Sequence, residues 1–466
     1  MRSAQGVPGR RLRVVVIACL STLALPAHTA FAHGNGTLFS SPVDSDGAAV
    51  YWNPAAMAGA NESRFDAVGN VQLPQATYQR YGTDAQQGGA AYPKVSLLVP
   101  APEPTVGLII DKVWRKRLRL GFGVTVPNAS GAGWPETVSQ NHQVVLGPTR
   151  YATTNAQVFN VYTQLAASFL LHRTFAIGVA ATMIISSLDD HKDTDLANTP
   201  PLSTTVPCAA NPFGCENPQL SAPTHFKGVG VSGGATIGIF WRPIPRVRIG
   251  AAYLTPAKID MKATVSVDAS KLNTFAQQFY PGFTPLSVNG SGTAIVKAPM
   301  QVHAGIAVDV TSRVELMAMM RWVNTAASEI ISATLTKRSS SLVPTTINNP
   351  SVTNDQWMVA ARVVGRIRDR WKLAFGVEYV TATTPDAYTT PANIDFNSIA
   401  LNFGANVRIT KHLALGASFS QFVVIPRTIT ASAYSNDAGA PYNLPDPSGH
   451  YTANSETVGL DLTAFF

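Results

Sequence analysis

Charge is scarce in this chain. Asp, Glu, Lys and Arg make up only 13% of its 466 residues, against about 25% in an ordinary soluble domain, while the apolar share is an unexceptional 45%. Long apolar runs are missing too. Beyond residue 32 nothing approaches the roughly twenty unbroken apolar residues of a membrane helix, so no helical span is expected. Cysteine is nearly absent, at three residues, which excludes a disulfide-stapled scaffold and any thiolate-rich metal cluster. Cys19 falls in the leader described below. Cys208 and Cys215 sit in PCAANPFGCENPQ, where an even pair in an exported, Pro/Asn-rich loop predicts one disulfide. The only basic run, Arg115–Arg119 (RKRLR), reads as a strand end with its turn, so no nucleic-acid partner is expected.

The amino terminus carries a secretion signal over residues 1–32. Arg2, Arg10, Arg11 and Arg13 form a positive region, Val14–Leu25 an apolar one, and Ala30-Phe31-Ala32 a cleavage site. Its removal takes away four arginines and no acid, and the formal charge drops from +8 to +4. Few charges with ordinary apolarity then fit a membrane β-barrel, whose lipid face excludes charge and whose polar lumen keeps mean hydropathy near zero.

Period-two alternation runs through the rest. Leu401, Phe403, Ala405, Val407 and Ile409 point one way, and Asn402, Gly404, Asn406 and Arg408 the other. Leu413, Leu415, Ala417 and Phe419 repeat the pattern, as do Trp371, Leu373, Phe375, Val377 and Tyr379 opposite Glu378. Trp357 to Ile367 alternates with Met358, Ala360, Arg362, Val364 and Arg366. Val314 to Trp322 alternates with Glu315, Met317, Met319 and Arg321. Val302 to Val308 alternates with His303 and Asp309, and Val247 to Tyr253 with Arg246 and Arg248. Further strands are predicted over 64–80, 94–111, 117–127, 153–170, 173–188 and 225–241. The last segment places Val458, Leu460, Leu462, Ala464 and the terminal Phe466 on one face. About fourteen strands result, an even number, as a single-chain outer-membrane barrel requires. Their length, and aromatics near their ends, favour this barrel over a secreted β-sandwich.

Tight turns at His172, Pro243–Pro245, Thr311-Ser312, Asp369 and Lys411 alternate with long segments at 128–152, 189–224, 263–292, 337–353, 384–394 and 431–450. That is the asymmetry of periplasmic and outer faces. Within one long segment Lys271–Tyr280 is predicted helical, with Leu272, Phe275, Phe279 and Tyr280 on one face, either a capture surface for a greasy ligand or packing on the barrel's own rim. Asp189, Asp190, Asp193 and Asp195 form an acid run interrupted by His191 and Lys192. It is read as a solvated loop cluster, since the spacing is not that of a calcium loop. The histidines are scattered, with no metal-ligand spacing and no G-x-S-x-G, so neither a metal, a cofactor nor an enzyme is expected.

Residues 33–63 differ from the strands. They are rich in Gly and Ala, turn sharply at Asn53-Pro54, and carry the apolar Leu38, Phe39, Val50, Tyr51, Trp52 and Met57, which a disordered tail would not need. A lumenal plug ahead of a barrel at 64–466 is expected. Here the chain resembles the long-chain fatty acid and aromatic hydrocarbon transporters of Gram-negative outer membranes. Asp44, Asp46, Gly47, Ala48 and Ala49, then Asn53, Pro54 and Ala55, resemble that family's opening. Lys227-Gly228 through Tyr253 and Lys262 resembles its central hairpin. Pro299, Gly305 and Trp322 resemble the next, and WKLAFGVEY, Thr384-Pro385 and Asp395 the late strands. The chain departs from the family at His33-Gly34-Asn35-Gly36, which replaces a longer Gly-Phe-rich start, and at Asp395-Phe396, which replaces an Asp-Arg doublet. The resemblance implies a fourteen-stranded barrel closed by an amino-terminal hatch. It also implies ligand capture on an apolar patch between outer loops, a deeper pocket against the hatch, and sideways exit where a kinked strand opens the wall.

A long alkyl chain gains about 0.8 kcal/mol per CH₂ on leaving water, so a greasy solute needs an apolar pocket rather than a wet pore. A carboxylated one also needs a cation. The lumen face offers Arg246, Arg248, Arg321, Arg362, Arg366 and Arg408 against Asp309, Glu315, Glu378 and Asp461, as a head-group clamp or as an ion-pair ladder bracing the wall. Met317 and Met319 face the same way and suit variable apolar ligands. The expected function is uptake of hydrophobic compounds, long-chain fatty acids first and aromatic hydrocarbons as the alternative. A general porin and an adhesin are the competing readings. The expected partners are the solute, outer-membrane lipid and, during biogenesis, the barrel-assembly machinery, with the chain a monomer.

Overall fold

The computed structural model describes residues 36–84, 89–114, 117–195, 216–279, 285, 288–328, 330–339, 346–350, 352–368, 370–434 and 445–466. Among these, 14 antiparallel wall strands close into one barrel. They are β1 Arg64–Arg80, β2 Val95–Leu98 with Ala101–Trp114, β3 Leu118–Gly133, β4 Asn155–His172, β5 Phe175–Asp195, β6 Ser221–Trp241 and β7 Val247–Leu254 with Ala257–Val267. Then come β8 Val288–Ala298 with Gln301–Asp309, β9 Val314–Val323 with Ile330–Arg338, β10 Thr346–Pro350 with Gln356–Ile367, β11 Trp371–Val380, β12 Ser398–Thr410, β13 Leu413–Val424 with Arg427–Ile429, and β14 Gly449–Phe465. No described helix is long and apolar enough to cross a membrane.

Closure comes from the ends of the chain. β1 pairs with β14 without interruption from Arg64↔Phe465 to Arg80↔Gly449, and the Phe466 N–H donates to the Ser63 carbonyl at 3.0 Å. The wall therefore has no free edge there to pair with a second chain. The predicted facing holds. Leu401, Phe403, Leu373, Phe375, Val359, Leu316, Ile306, Val458, Leu460 and Leu462 are exposed on the outside, whereas Glu378, Arg362, Glu315, His303 and Asp461 are buried inside. Trp114, Trp241, Trp371 and Phe466 are exposed aromatics near strand ends on the short-turn side, where an interfacial girdle belongs.

The strands run further than expected toward the long-loop end. β3 continues to Gly133 and β5 to Asp195, while β6 begins at Ser221 and β8 at Val288, all inside segments predicted as loops. Above the hydrocarbon both faces of a strand are wet, so backbone pairing continues after the apolar alternation that signals it has ended. The acid run at 189–195 is thus strand, not loop, and its pleat splits it: Asp190 and Asp195 are buried while Asp189 and Asp193 are not. Among the long connections, Arg80 of β1, Arg150 before β4 and Glu216 before β6 meet as a buried ion cluster, with Arg80 Nη2 2.6 Å from Glu216 Oε1. The leader, Cys208, Cys215 and the predicted disulfide lie outside the described residues.

Candidate functional site

Residues 36–63 lie within the barrel, bonded to its wall on several sides. After Gly47 come α1 (Ala49–Trp52) and a 3₁₀ turn (Pro54–Gly59), with Asn53 between them and fully buried. The Asn53 side chain makes three bonds. Nδ2 donates to Pro42 O at 2.8 Å and to Ile239 O of β6 at 2.9 Å, and Oδ1 accepts from Ala55 N at 3.1 Å. Pro54 follows at the first position of the turn, where its missing N–H costs nothing and its φ is already helical. The wall makes room through glycine: a Cβ at Gly178 of β5 would collide with Pro54 and Ala55, and one at Gly238 of β6 with Asn53 itself. Elsewhere Gly47 N donates to Asp66 Oδ2 at 2.6 Å, Ser168 Oγ to Ala55 O at 3.1 Å, and Asn70 Nδ2 to Gly36 O at 3.0 Å.

Beneath this segment, at the short-turn end, lies a charged chamber of about 450 Å³ lined by residues including Asp44, Asp46, Arg248, Glu315, Arg362 and Arg366. Most of the predicted arginines are spent here. Arg362 Nη2 lies 2.8 Å from Asp44 Oδ2 and its Nη1 donates to Leu38 O at 2.6 Å. Arg366 reaches Glu315 at 2.7 Å and Asp309 at 3.2 Å. Arg248 reaches the same Glu315 at 2.7 Å. Arg408 pairs with Glu62 at 3.1 Å. The lumenal arginine ladder is therefore largely a brace between wall and amino-terminal segment, and at its best-buried pair, Arg362 with Asp44, removing one partner costs about 3–5 kcal/mol. Arg246 is exposed at its turn and does not join the lumenal set. Burial alone would raise the Asp44 carboxyl; Arg362 and Arg248 outweigh it and hold the group below the usual range. Burial pushes the neighbouring Asp46 up to about 7, against the pull of Arg64 and with the help of Asp66 and Asp44.

Arg321 stands apart. It is 3% exposed, and its one side-chain hydrogen bond among the described residues is a long one, Nη2 to Gln356 Oε1 at 3.5 Å. No carboxylate lies within ion-pair distance among the described residues, and its charge reaches Glu103 of β2 only through space. It belongs to the upper side of the amino-terminal segment, near a polar patch in which Tyr51 Oη donates to Gln301 Oε1 at 3.3 Å and His303 Nδ1 lies 3.0 Å from Trp52 O.

Above that patch the lumen face carries a large apolar cluster. Trp52, Tyr162, Ile184, Leu188, Phe226, Leu254, Ile259, Met261, Leu335 and Met358 form one buried cluster. Met317 is buried and Met319 partly so, beside the amino-terminal segment; both line a small pocket with Trp52 and Leu38.

One seam breaks the wall. Pairing of β2 with β3 ends at Thr105↔Thr125, although both strands continue. There β3 gains one residue against β4, its register shifting between Thr125 and Asn128. Pro127 lies in that bulge, and Pro102 and Pro104 lie opposite on β2; none can donate to a ladder. Side chains bridge the seam instead: Ala101 packs with Val126, Ala129, Phe159 and Val161. On its inner side is an apolar slot of about 30 Å³ lined by Leu97, Ala132, Pro391, Ile394 and Phe396 among others, room for about one water.

The predicted loop helix is present as α2, Ser270–Phe279. The Phe275 and Phe279 side chains and all of Tyr280 lie outside the described residues. The sequence missed the isolation of Arg321, which depends on acids placed by other strands, and the carbonyls held by Asn53, one of them 186 residues away.

The family described as outer membrane protein transport protein (OMPP1/FadL/TodX) matches residues 16–466. The fold is similar to that of a Pseudomonas aeruginosa FadL homologue, with a TM-score of 0.76 at 18% identity, covering 94% of this chain and 98% of that one. It is also similar to the P. putida toluene transporter TodX, at 0.65 and 14% with 96% and 99% covered, and to the Ralstonia pickettii toluene transporter TbuX, at 0.59 and 15% with 93% and 99% covered. No curated protein sequence matches.

Proposed function

We propose, since the chain belongs to the OMPP1/FadL/TodX family of outer membrane transport proteins, that it takes up neutral hydrophobic solutes of the monoaromatic kind and releases them sideways into the membrane. Its class is a transporter and not an enzyme, and its place is the outer membrane. The observation that carries the reading is the segregation of the lumen. Below the amino-terminal segment charge is mostly paired around the chamber, while above it a large buried apolar cluster faces the lumen. A solute without charge has somewhere to go above the segment and nothing to gain below it. Residues 36–63 act as a hatch: their bonds to the wall oppose the open water column that a general porin needs. The seam between β2 and β3 is the exit. Two of the similar structures are toluene transporters, which favours an aromatic hydrocarbon over a fatty acid.

Arg321 supports the second reading. A buried cation without a carboxylate partner among the described residues suits a fatty acid head group. Calorimetry with toluene, a long-chain fatty acid and its methyl ester separates the two. The first reading expects saturable toluene binding that survives Arg321→Met, with acid and ester bound alike. An acid bound about tenfold (~1.4 kcal/mol) tighter than its ester, with that difference lost in Arg321→Met, would establish the fatty acid instead.

A further inference from the structure

The outward face of β5 and β6 holds a constellation that transport does not use. The two strands pair in unbroken register, and at their long-loop ends His191 faces His225 and Asp189 faces Lys227. The pleat fixes which way these point. Ile177, Val179 and Met183 on β5, and Val229, Val231, Ile237 and Ile239 on β6, are exposed on the lipid side. Asp189, His191 and His225 continue those same rows. The last apolar outward residues are Ile185 and Val229, so the three polar ones stand just above the hydrocarbon, on strand backbone rather than a loop.

Their geometry converges. The two imidazoles stack with centroids 3.9 Å apart and planes 15° from parallel. Each Nε2 lies 2.9 Å from the same oxygen, Asp189 Oδ1. One ligand atom from each of the three residues falls within 4.8 Å of the others. We propose that Asp189, His191 and His225 form an outward-facing site for a divalent transition-metal ion, Zn²⁺ foremost.

Zinc binds histidine nitrogen and carboxylate oxygen at about 2.0–2.2 Å, so a tetrahedral ion holds its ligand atoms roughly 3.3 Å apart. The two nitrogen–oxygen distances of 2.9 Å are a few tenths of an ångström shorter than that, and all three ligand atoms lie within 4.8 Å of one another. Two imidazoles and one carboxylate select zinc-like ions over Ca²⁺ and Mg²⁺, which want shells of oxygen. All three side chains are partly exposed, which leaves the fourth position to water. Hydrogen bonding alone would also satisfy the trio, each neutral ring donating Nε2–H to the carboxylate. Metal binding takes the other tautomer: the proton of each ring sits on Nδ1, and the freed Nε2 lone pair binds the ion. Lys227 is exposed beside Asp189, and its ammonium opposes the cation.

Tag-free protein in detergent, titrated with Co²⁺ and followed by visible absorption, tests the site. One ion per chain with tetrahedral bands, displaced by Zn²⁺ but not by excess Mg²⁺ or Ca²⁺, is expected. His191→Ala/His225→Ala should lose the bands, and Lys227→Ala should bind several-fold tighter. Heat-modifiable gel migration shows that each variant is a folded barrel, and Zn²⁺ should raise the unfolding temperature of the wild type but not of the double variant. Absence of the bands in the wild type, or equal binding by the folded double variant, overturns the site.

Discussion

Deleting Pro127 should stop transport while leaving the barrel folded. β3 carries one residue too many between Thr125 and Asn128, and without it the strand keeps its register with β4 and loses the bend that separates it from β2. The facing of the strand above does not change, because removing a one-residue bulge restores the two-residue pleat against β4. β2 and β3 then zip further, and a solute leaving sideways must break ladder bonds. Each ~1.4 kcal/mol added to that barrier slows exit about tenfold, so uptake should fall by at least that factor in cells expressing the variant. Toluene binding to the purified protein should persist, because the cluster around Phe226 and Met261 is untouched. Unchanged uptake would place the exit elsewhere.

The second large effect concerns the hatch. Asn53→Ala/Pro54→Ala removes the three bonds of the Asn53 side chain and the fixed φ that follows it. Pro42 O, Ile239 O and Ala55 N lose their Asn53 partner in a buried site, at about 1–3 kcal/mol each where left unmet. In planar bilayers the double variant should show steady ion conductance where the wild type shows little, with both proteins migrating as folded barrels. Gly238→Val should act the same way from the wall side, since its Cβ would meet Asn53. Equal conductance in all three would deny the corner its anchoring role.

Much of the wall was legible locally. The segment Leu401–Ile409 states which residues meet lipid, because a strand between an apolar and a wet phase must alternate, and the same holds for Trp371–Tyr379 and the carboxyl terminus. Strand ends were not legible where both faces are wet: the apolar alternation of β5 stops at Leu188, and the acids beyond it look like loop in sequence although they are strand. The site was harder still. Arg362 and Arg321 look alike in sequence, each facing the lumen among apolar neighbours. One meets Asp44, contributed from 318 residues away, and the other meets no acid within bonding range among the described residues. The bulge at Pro127 is a mismatch between two strands and has no signature in either alone. His191 and His225 looked scattered for the same reason: cross-strand register made them neighbours.

The central claim is that an uncharged solute occupies the apolar side of the hatch and leaves through the β2–β3 seam. The most direct test is an experimental structure of the protein soaked with a heavy-atom-labelled monoaromatic hydrocarbon such as iodobenzene. Anomalous density is predicted among Trp52, Phe226, Met261 and Met358, and in a widened slot between Leu97, Ala132 and Phe396. Density confined to the charged chamber beside Asp44, Glu315 and Arg366 would contradict it.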